Sequence, residues 1–137
     1  MHLYSLTLCG ATAINLSCSG SFTVPKVDEI CVAKGKVIEI MRVDADSGKL
    51  EVIYTQEMFG LVRSMLAFRL IGMSKDFLVI GSDSGRIVIL DYDKNTNKFV
   101  KIHQETYGKT GCRRIVPGEY LAADPKGRVI LIGALER

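Results

Sequence analysis

Residues 76–108 read DFLVIGSDSGRIVILDYDKNTNKFVKIHQETYG, and residues 29–60 read EICVAKGKVIEIMRVDADSGKLEVIYTQEMFG. Each stretch opens on an acidic residue, Asp76 or Glu29, followed by a short apolar run. A Gly turn comes next, at Gly85 or Gly35, then a basic residue and a second apolar run. A polar loop (residues 93–97 or 44–48) leads into a third run. That run closes on Gln-Glu, an aromatic and a Gly: Gln104-Glu105 with Tyr107-Gly108, and Gln56-Glu57 with Phe59-Gly60. The two copies lie 47 to 50 residues apart. Residues 120–132 read as a third, incomplete copy of residues 77–89, at an offset near 42.

The runs are short, rich in Val, Ile, Tyr and Phe, and bounded by Gly, Asp, Asn and Ser, which is the pattern of strands. Asp83-Ser84-Gly85 and Pro125-Lys126-Gly127 are tight-turn chemistry, with Gly available for a positive φ. Ile87-Val88-Ile89-Leu90 is apolar on both faces, as a strand between two neighbouring sheets must be. Residues 98–103 are read as alternating polar and apolar, as an outer strand with one wet face should. An innermost strand is expected before each unit, near residues 13–22, 63–70 and 113–116. Residues 58–71 also fit a helical period loosely, between Gly60 and Gly72; the repeat favours a turn and then a strand.

Four strands repeating every 40 to 50 residues define a propeller blade. The expected fold is therefore all-β and WD40-like: one partial propeller domain over residues 1–137. Its blades are expected at about 13–57 and 62–107, with most of a third at 112–137. A ring closes with about four to eight blades. Such a piece leaves apolar faces uncovered, so the isolated segment is expected to self-associate or to belong to a longer protein.

Composition agrees with a globular domain: 137 residues, 47% hydrophobic and 24% charged, with a net charge of +3. That charge is too small to argue by itself for a nucleic-acid partner. No apolar run approaches the roughly 18–20 residues of a membrane span, so no membrane partner is expected. Residues 1–25 carry no Asp, Glu, Lys or Arg. They lack the positive start of a signal peptide, and a buried inner strand explains them better. Cys9, Cys18, Cys31 and Cys112 form no C-x-x-C pair and read as reduced, buried thiols. Asn15-Leu16-Ser17 is formally a glycosylation sequon, without meaning in an intracellular protein.

No pattern of catalytic, cofactor or metal residues stands out. Gly108-Lys109-Thr110 lacks the upstream Gly of a phosphate loop, where His103 stands instead. His103 lies on a solvated strand face. Asp44 and Asp46, like Asp91 and Asp93, fall in or near hairpin loops, and Asp44-Ala45-Asp46-Ser47-Gly48 stops short of a calcium loop. The one charged cluster is Lys109, Arg113, Arg114, Lys126 and Arg128 against Glu119 and Asp124. It reads as a solvated rim or as a patch facing RNA or an acidic partner surface; no base-stacking aromatics accompany it.

Residues 74–90, SKDFLVIGSDSGRIVIL, resemble the first propeller of the large triple-propeller proteins. That family includes the damaged-DNA-binding protein large subunit, the polyadenylation specificity factor large subunit and the third subunits of splicing factor 3b. Residues 102–118, IHQETYGKTGCRRIVPG, with 123–128, ADPKGR, and 63–70, RSMLAFRL, resemble the splicing branch. The likeness spans essentially the whole chain and is densest from about residue 57 onward. It implies a nuclear, non-enzymatic scaffold of the U2 particle's splicing factor 3b complex. The implied partners are a HEAT-repeat splicing subunit and a small companion subunit. A ubiquitin-ligase adaptor or a polyadenylation factor would share the fold. A small ligand-binding β domain is the remaining alternative.

Overall fold

The computed structural model describes residues 2–106 and 120–133. It contains ten strands among them and no helix. The first sheet is an antiparallel meander of β1 (Leu16–Gly20), β2 (Glu29–Lys34), β3 (Val37–Val43) and β4 (Leu50–Glu57). The second repeats it with β5 (Val62–Phe68), β6 (Phe77–Ser82), β7 (Arg86–Asp93) and β8 (Lys98–Thr106). A third sheet pairs β9 (Tyr120–Ala123) with β10 (Ile130–Gly133). The strands β1, β5 and β9 run beside one another, so the sheets stack side by side with these strands innermost.

The two long repeats pack face to face through alternate side chains. Cys31, Ala33, Ile38 and Ile40 of the first sheet meet Val62, Leu78, Ile80, Leu90 and Phe99 of the second. Phe22, with no exposed surface, joins them. On the other side of the second sheet, Phe68, Val79, Ile87 and Ile89 pack with Leu121, Ala123, Ile130 and Ile132. The run Ile87-Val88-Ile89-Leu90 therefore serves two cores: Ile87 and Ile89 face the third sheet, and Val88 and Leu90 face the first. That is the physical reason it is apolar on both faces.

The drifting repeat offset has a local cause. The β2–β3 turn holds two residues, Gly35 and Lys36, whereas the β6–β7 turn holds Asp83, Ser84 and Gly85. Gly35 and Gly85 both sit at positive φ (66° and 75°), where other L residues are disfavoured. Each outer strand carries a bulge at the same place: Ile53 is the extra residue on β4 and Ile102 on β8. The bulge re-aims the strand and corrects the expected alternation of residues 98–103. Only Phe99 is buried there, and Ile102 is turned out to solvent.

Two further expectations change, and the strand favoured over a helix at residues 58–71 is borne out. The charge-free stretch is not one buried strand: only Leu16–Gly20 pairs, half-buried, while residues 2–15 form no strand and are exposed. Residues 58–71 contain a strand, β5, and the helical alternative does not occur, because its apolar side chains divide between two sheet faces. The third unit is aligned differently. Strand β9 stands beside β5, and its turn lies against residues 69–71, where Gly127 O accepts the Ile71 N–H at 3.4 Å. Residues 120–132 therefore match the first two strands of a blade, not the second and third. The inner strand expected at 113–116 lies outside the described residues.

Candidate interaction surface

The repeated acidic residue is a structural clip. Glu29, whose side chain has no exposed surface, accepts hydrogen bonds from Phe22 N (3.0 Å), Thr23 N (2.8 Å), Thr23 Oγ1 and Arg42 Nη2 (2.5 Å). These bonds fold the β1–β2 connection back onto the sheet. Asp76 does the same work across sheets. Its carboxylate accepts the Ser21 N–H at 2.7 Å and grips Arg69 through Nε and Nη2, both at 2.9 Å. Its own N–H donates to Ser21 O. One side chain thus ties the inner strands of the first two sheets together.

The aspartates of the polar loops act as turn acceptors. Asp44 accepts the Ser47 hydroxyl at 2.6 Å and the Ser47 N–H at 3.0 Å. Asp93 accepts from Asn95 N and Thr96 Oγ1, both at 3.0 Å. Asp124 accepts Arg128 Nε at 2.5 Å and Lys126 N at 3.1 Å. All three carboxyls are held below the usual carboxylate range. The first cause is the Ser47 hydroxyl for Asp44, the Asn95 N–H for Asp93 and the Arg128 guanidinium for Asp124. Their hydrogen-bonding capacity is spent on their own turns.

The thiols differ from one another. Cys9 is exposed, Cys18 half-buried and Cys31 buried, and these three are free. The expectation of uniformly buried thiols is corrected at Cys9, which lies in the unpaired stretch before β1. Cys18 and Cys31 face each other across β1 and β2. A hydrogen bond with Cys18, then burial, pushes the Cys31 thiol up, so it stays neutral and unreactive. Asn15 of the formal sequon accepts the Gly35 N–H at 3.0 Å and so braces the first turn. His103 is exposed beside Glu105 at 3.4 Å, on a solvated strand.

Of the basic cluster, the structure places Lys126 and Arg128, both exposed, on the β9–β10 turn. Arg128 is paired with Asp124, so Lys126 is the less neutralised of the two. Lys109, Arg113, Arg114 and Glu119 lie outside the described residues, as does the Gly108-Lys109-Thr110 stretch. Among the described residues no group of three or more His, Cys, Asp or Glu has metal-holding geometry.

Sequence reasoning missed a presented aromatic. Phe59, in the β4–β5 connection, is 93% exposed. Its loop is held on both sides: Met58 N donates to Lys36 O at 2.6 Å, and Leu61 is bonded to Asp83 through Leu61 N to Oδ1 and Asp83 N to Leu61 O. The Phe59-Gly60 pair was visible as the end mark of a repeat, but its exposure is decided by the clip. An exposed aromatic between two backbone positions held by these hydrogen bonds is suited to anchoring a partner.

Four-stranded antiparallel sheets stacked through their faces, with turns and an anchored aromatic on the rims, make this a propeller segment. The chain belongs to the RSE1/DDB1/CPSF1 first beta-propeller family, whose model matches residues 13–137. It is 56% identical over all 137 residues to zebrafish "Splicing factor 3B subunit 3" and to "Spliceosome-associated protein 130 A" of Arabidopsis thaliana. It is 51% identical over the same span to "Pre-mRNA-splicing factor RSE1" of Mycosarcoma maydis. The chain spans 11% of the length of each of these relatives.

Proposed function

We propose that this chain is the opening part of a non-enzymatic scaffold subunit of the splicing factor 3b complex, acting in the nucleus in pre-mRNA splicing. The observation that carries the reading is the 56% identity, without a gap in coverage, to a relative named as that subunit. The fold is consistent with the role. The buried carboxylates of Glu29 and Asp76 are consumed in clips, which leaves rims and sheet faces as the surfaces offered to partners. A HEAT-repeat splicing subunit and a small companion subunit are the proposed partners. Blade limits near 13–57, 62–107 and 112–137 belong to the same proposal. So does a positive partner-facing or RNA-facing patch of Lys109, Arg113, Arg114, Lys126 and Arg128.

The test is affinity purification of the tagged full-length protein, with mass spectrometry and RNA sequencing of what accompanies it. U2 RNA together with a HEAT-repeat splicing subunit is the expected recovery. A cullin or polyadenylation factors in their place would move the protein to a sister branch with the same fold.

A further inference from the structure

A cleft of about 340 Å³ opens between the first two sheets at their rim. The connection from β1 to β2 supplies Thr23 and Val24, β3 supplies Arg42 and β4 supplies Ile53. Tyr92 of β7 faces them, with Lys94 and Asn97 from the turn that follows it. The volume is at the low end of the about 300–1,000 Å³ of small-molecule sites, so it suits one or two side chains of a peptide. Both sheets have their four strands, so the cleft is not a gap left for a missing strand.

Its chemistry divides into an apolar wall and a cationic mouth. Val24, Ile53 and the Tyr92 ring are the apolar part. Ile53 is the extra residue of the β4 bulge, which takes it out of the regular alternation and leaves it 39% exposed. Arg42 is held through Nη2 by Glu29 and by Thr23 Oγ1 at 2.8 Å, so a carboxylate already offsets its charge. Lys94 differs: it is exposed and has no ion pair or hydrogen bond among the described residues. Asp93 beside it is spent on Asn95 and Thr96, and Asp91 on Lys75. None of the residues lining the cleft is acidic. The Tyr92 hydroxyl donates to Asn97 Oδ1 at 3.3 Å, which ties the turn carrying Lys94 to the wall.

We propose that this cleft takes an extended peptide of a partner protein, with an apolar side chain against Val24 and Ile53 and a neighbouring Asp or Glu on Lys94. The proposal rests on the scaffold reading and names one surface by which such a scaffold holds a partner. Charge selects the occupant: an unpaired ammonium at the mouth of a cleft without acids attracts a carboxylate. An RNA strand fits the site less well. The Tyr92 ring is already packed against Tyr54 and Phe99, at centroid distances of 5.8 and 5.4 Å, and is not free to stack a base. One unpaired cation also gives few phosphate contacts.

The test is zero-length carbodiimide crosslinking of the complex recovered with the tagged full-length protein, read by peptide mass spectrometry. Lys94 is expected to join an Asp or Glu of another protein that has an apolar residue within two positions of it. Ile53→Asn, a change at a partly exposed site that adds no charge, is expected to lower the yield of that crosslink at least about fivefold. No crosslink from Lys94 to another protein, or one only to acids of its own chain such as Asp93 or Glu51, overturns the proposal. A yield unchanged by Ile53→Asn also overturns it, because the acid then meets Lys94 outside the cleft. The first reading is made on unaltered protein, so a folding defect in the variant does not blunt it. The cleft and the scaffold reading fail separately. An Ile53-dependent crosslink to a protein outside the splicing machinery upholds the cleft and overturns the reading; U2 RNA recovered without a Lys94 crosslink does the reverse.

Discussion

Glu29 is a carboxylate with no exposed side-chain surface, and it is tolerated there because four donors converge on it. Two are backbone N–H groups that would otherwise be buried without acceptors. Arg42 supplies the compensating charge, and its side chain is one-third exposed, so its attraction is partly screened. Removing the carboxylate strands the two amides, and that loss outweighs the loss of the ion pair. Glu29→Ala is therefore expected to lower the unfolding free energy by about 3 kcal/mol. Glu29→Gln is expected to cost less, because an amide oxygen still accepts one N–H. Urea denaturation measures both; an unchanged midpoint for the alanine variant would refute the clip. The Asp76–Arg69 contact is weaker as an ion pair, since the Arg69 side chain is half exposed. Its weight lies in the Ser21 N–H it accepts.

At the scale of elements, the turns are where a single atom decides. Gly127 sits at φ 70°, and a Cβ there would lie 1.9 Å from the Arg69 carbonyl oxygen. Both the backbone conformation and the contact exclude a side chain. Gly127→Ala is expected to lower stability by about 2–4 kcal/mol and to loosen the third sheet from the second. A melting temperature equal to the parent's would show that the turn does not rest on residues 69–71. The aspartate turns carry a pH dependence. The carboxyls of Asp44, Asp93 and Asp124 are depressed by their donors. Each therefore adds stability above the unfolded value of about 3.9 and loses it as pH falls through its lower folded value. The melting temperature is expected to drop on acidification below about pH 4. Asp44→Asn combined with Asp93→Asn should flatten that drop, and parallel curves for parent and variant would count against the turn hydrogen bonds as its source.

For the whole molecule, the decisive fact is that a stacked sheet has two faces, and the outward face of the first sheet has no neighbour among the described residues. Ile30, Val43, Leu50 and Val52 are exposed on or beside the first sheet, and Val100 and Ile102 on β8 of the second. Apolar surface of this kind drives association in water. The isolated 137-residue chain is expected to self-associate or to unfold at modest temperature. Sedimentation across a range of concentrations, with melting curves at each, checks this. A monomer with one sharp, concentration-independent transition would mean that the exposed faces are tolerated without cover.

The pattern of apolar runs and Gly turns determined that the chain is all-β, that it repeats, and that Ile87-Val88-Ile89-Leu90 lies between two sheets. Strand period and turn chemistry are local, so they are written in local sequence. The acidic residue opening each repeat was visible as a pattern, but its role was not, because its donors sit at Phe22, Thr23 and Ser21, across a connection or a sheet boundary. Only the tertiary structure assigned residues 120–132 to the first two strands of a blade. An apolar strand–turn–strand reads alike at any position, and contact with β5 alone distinguishes them. The same holds for Phe59, exposed beside a backbone clip, and for the uncharged stretch before β1, which has no partner strand among the described residues. Burial depends on what lies alongside, and that is decided by the packing of whole sheets.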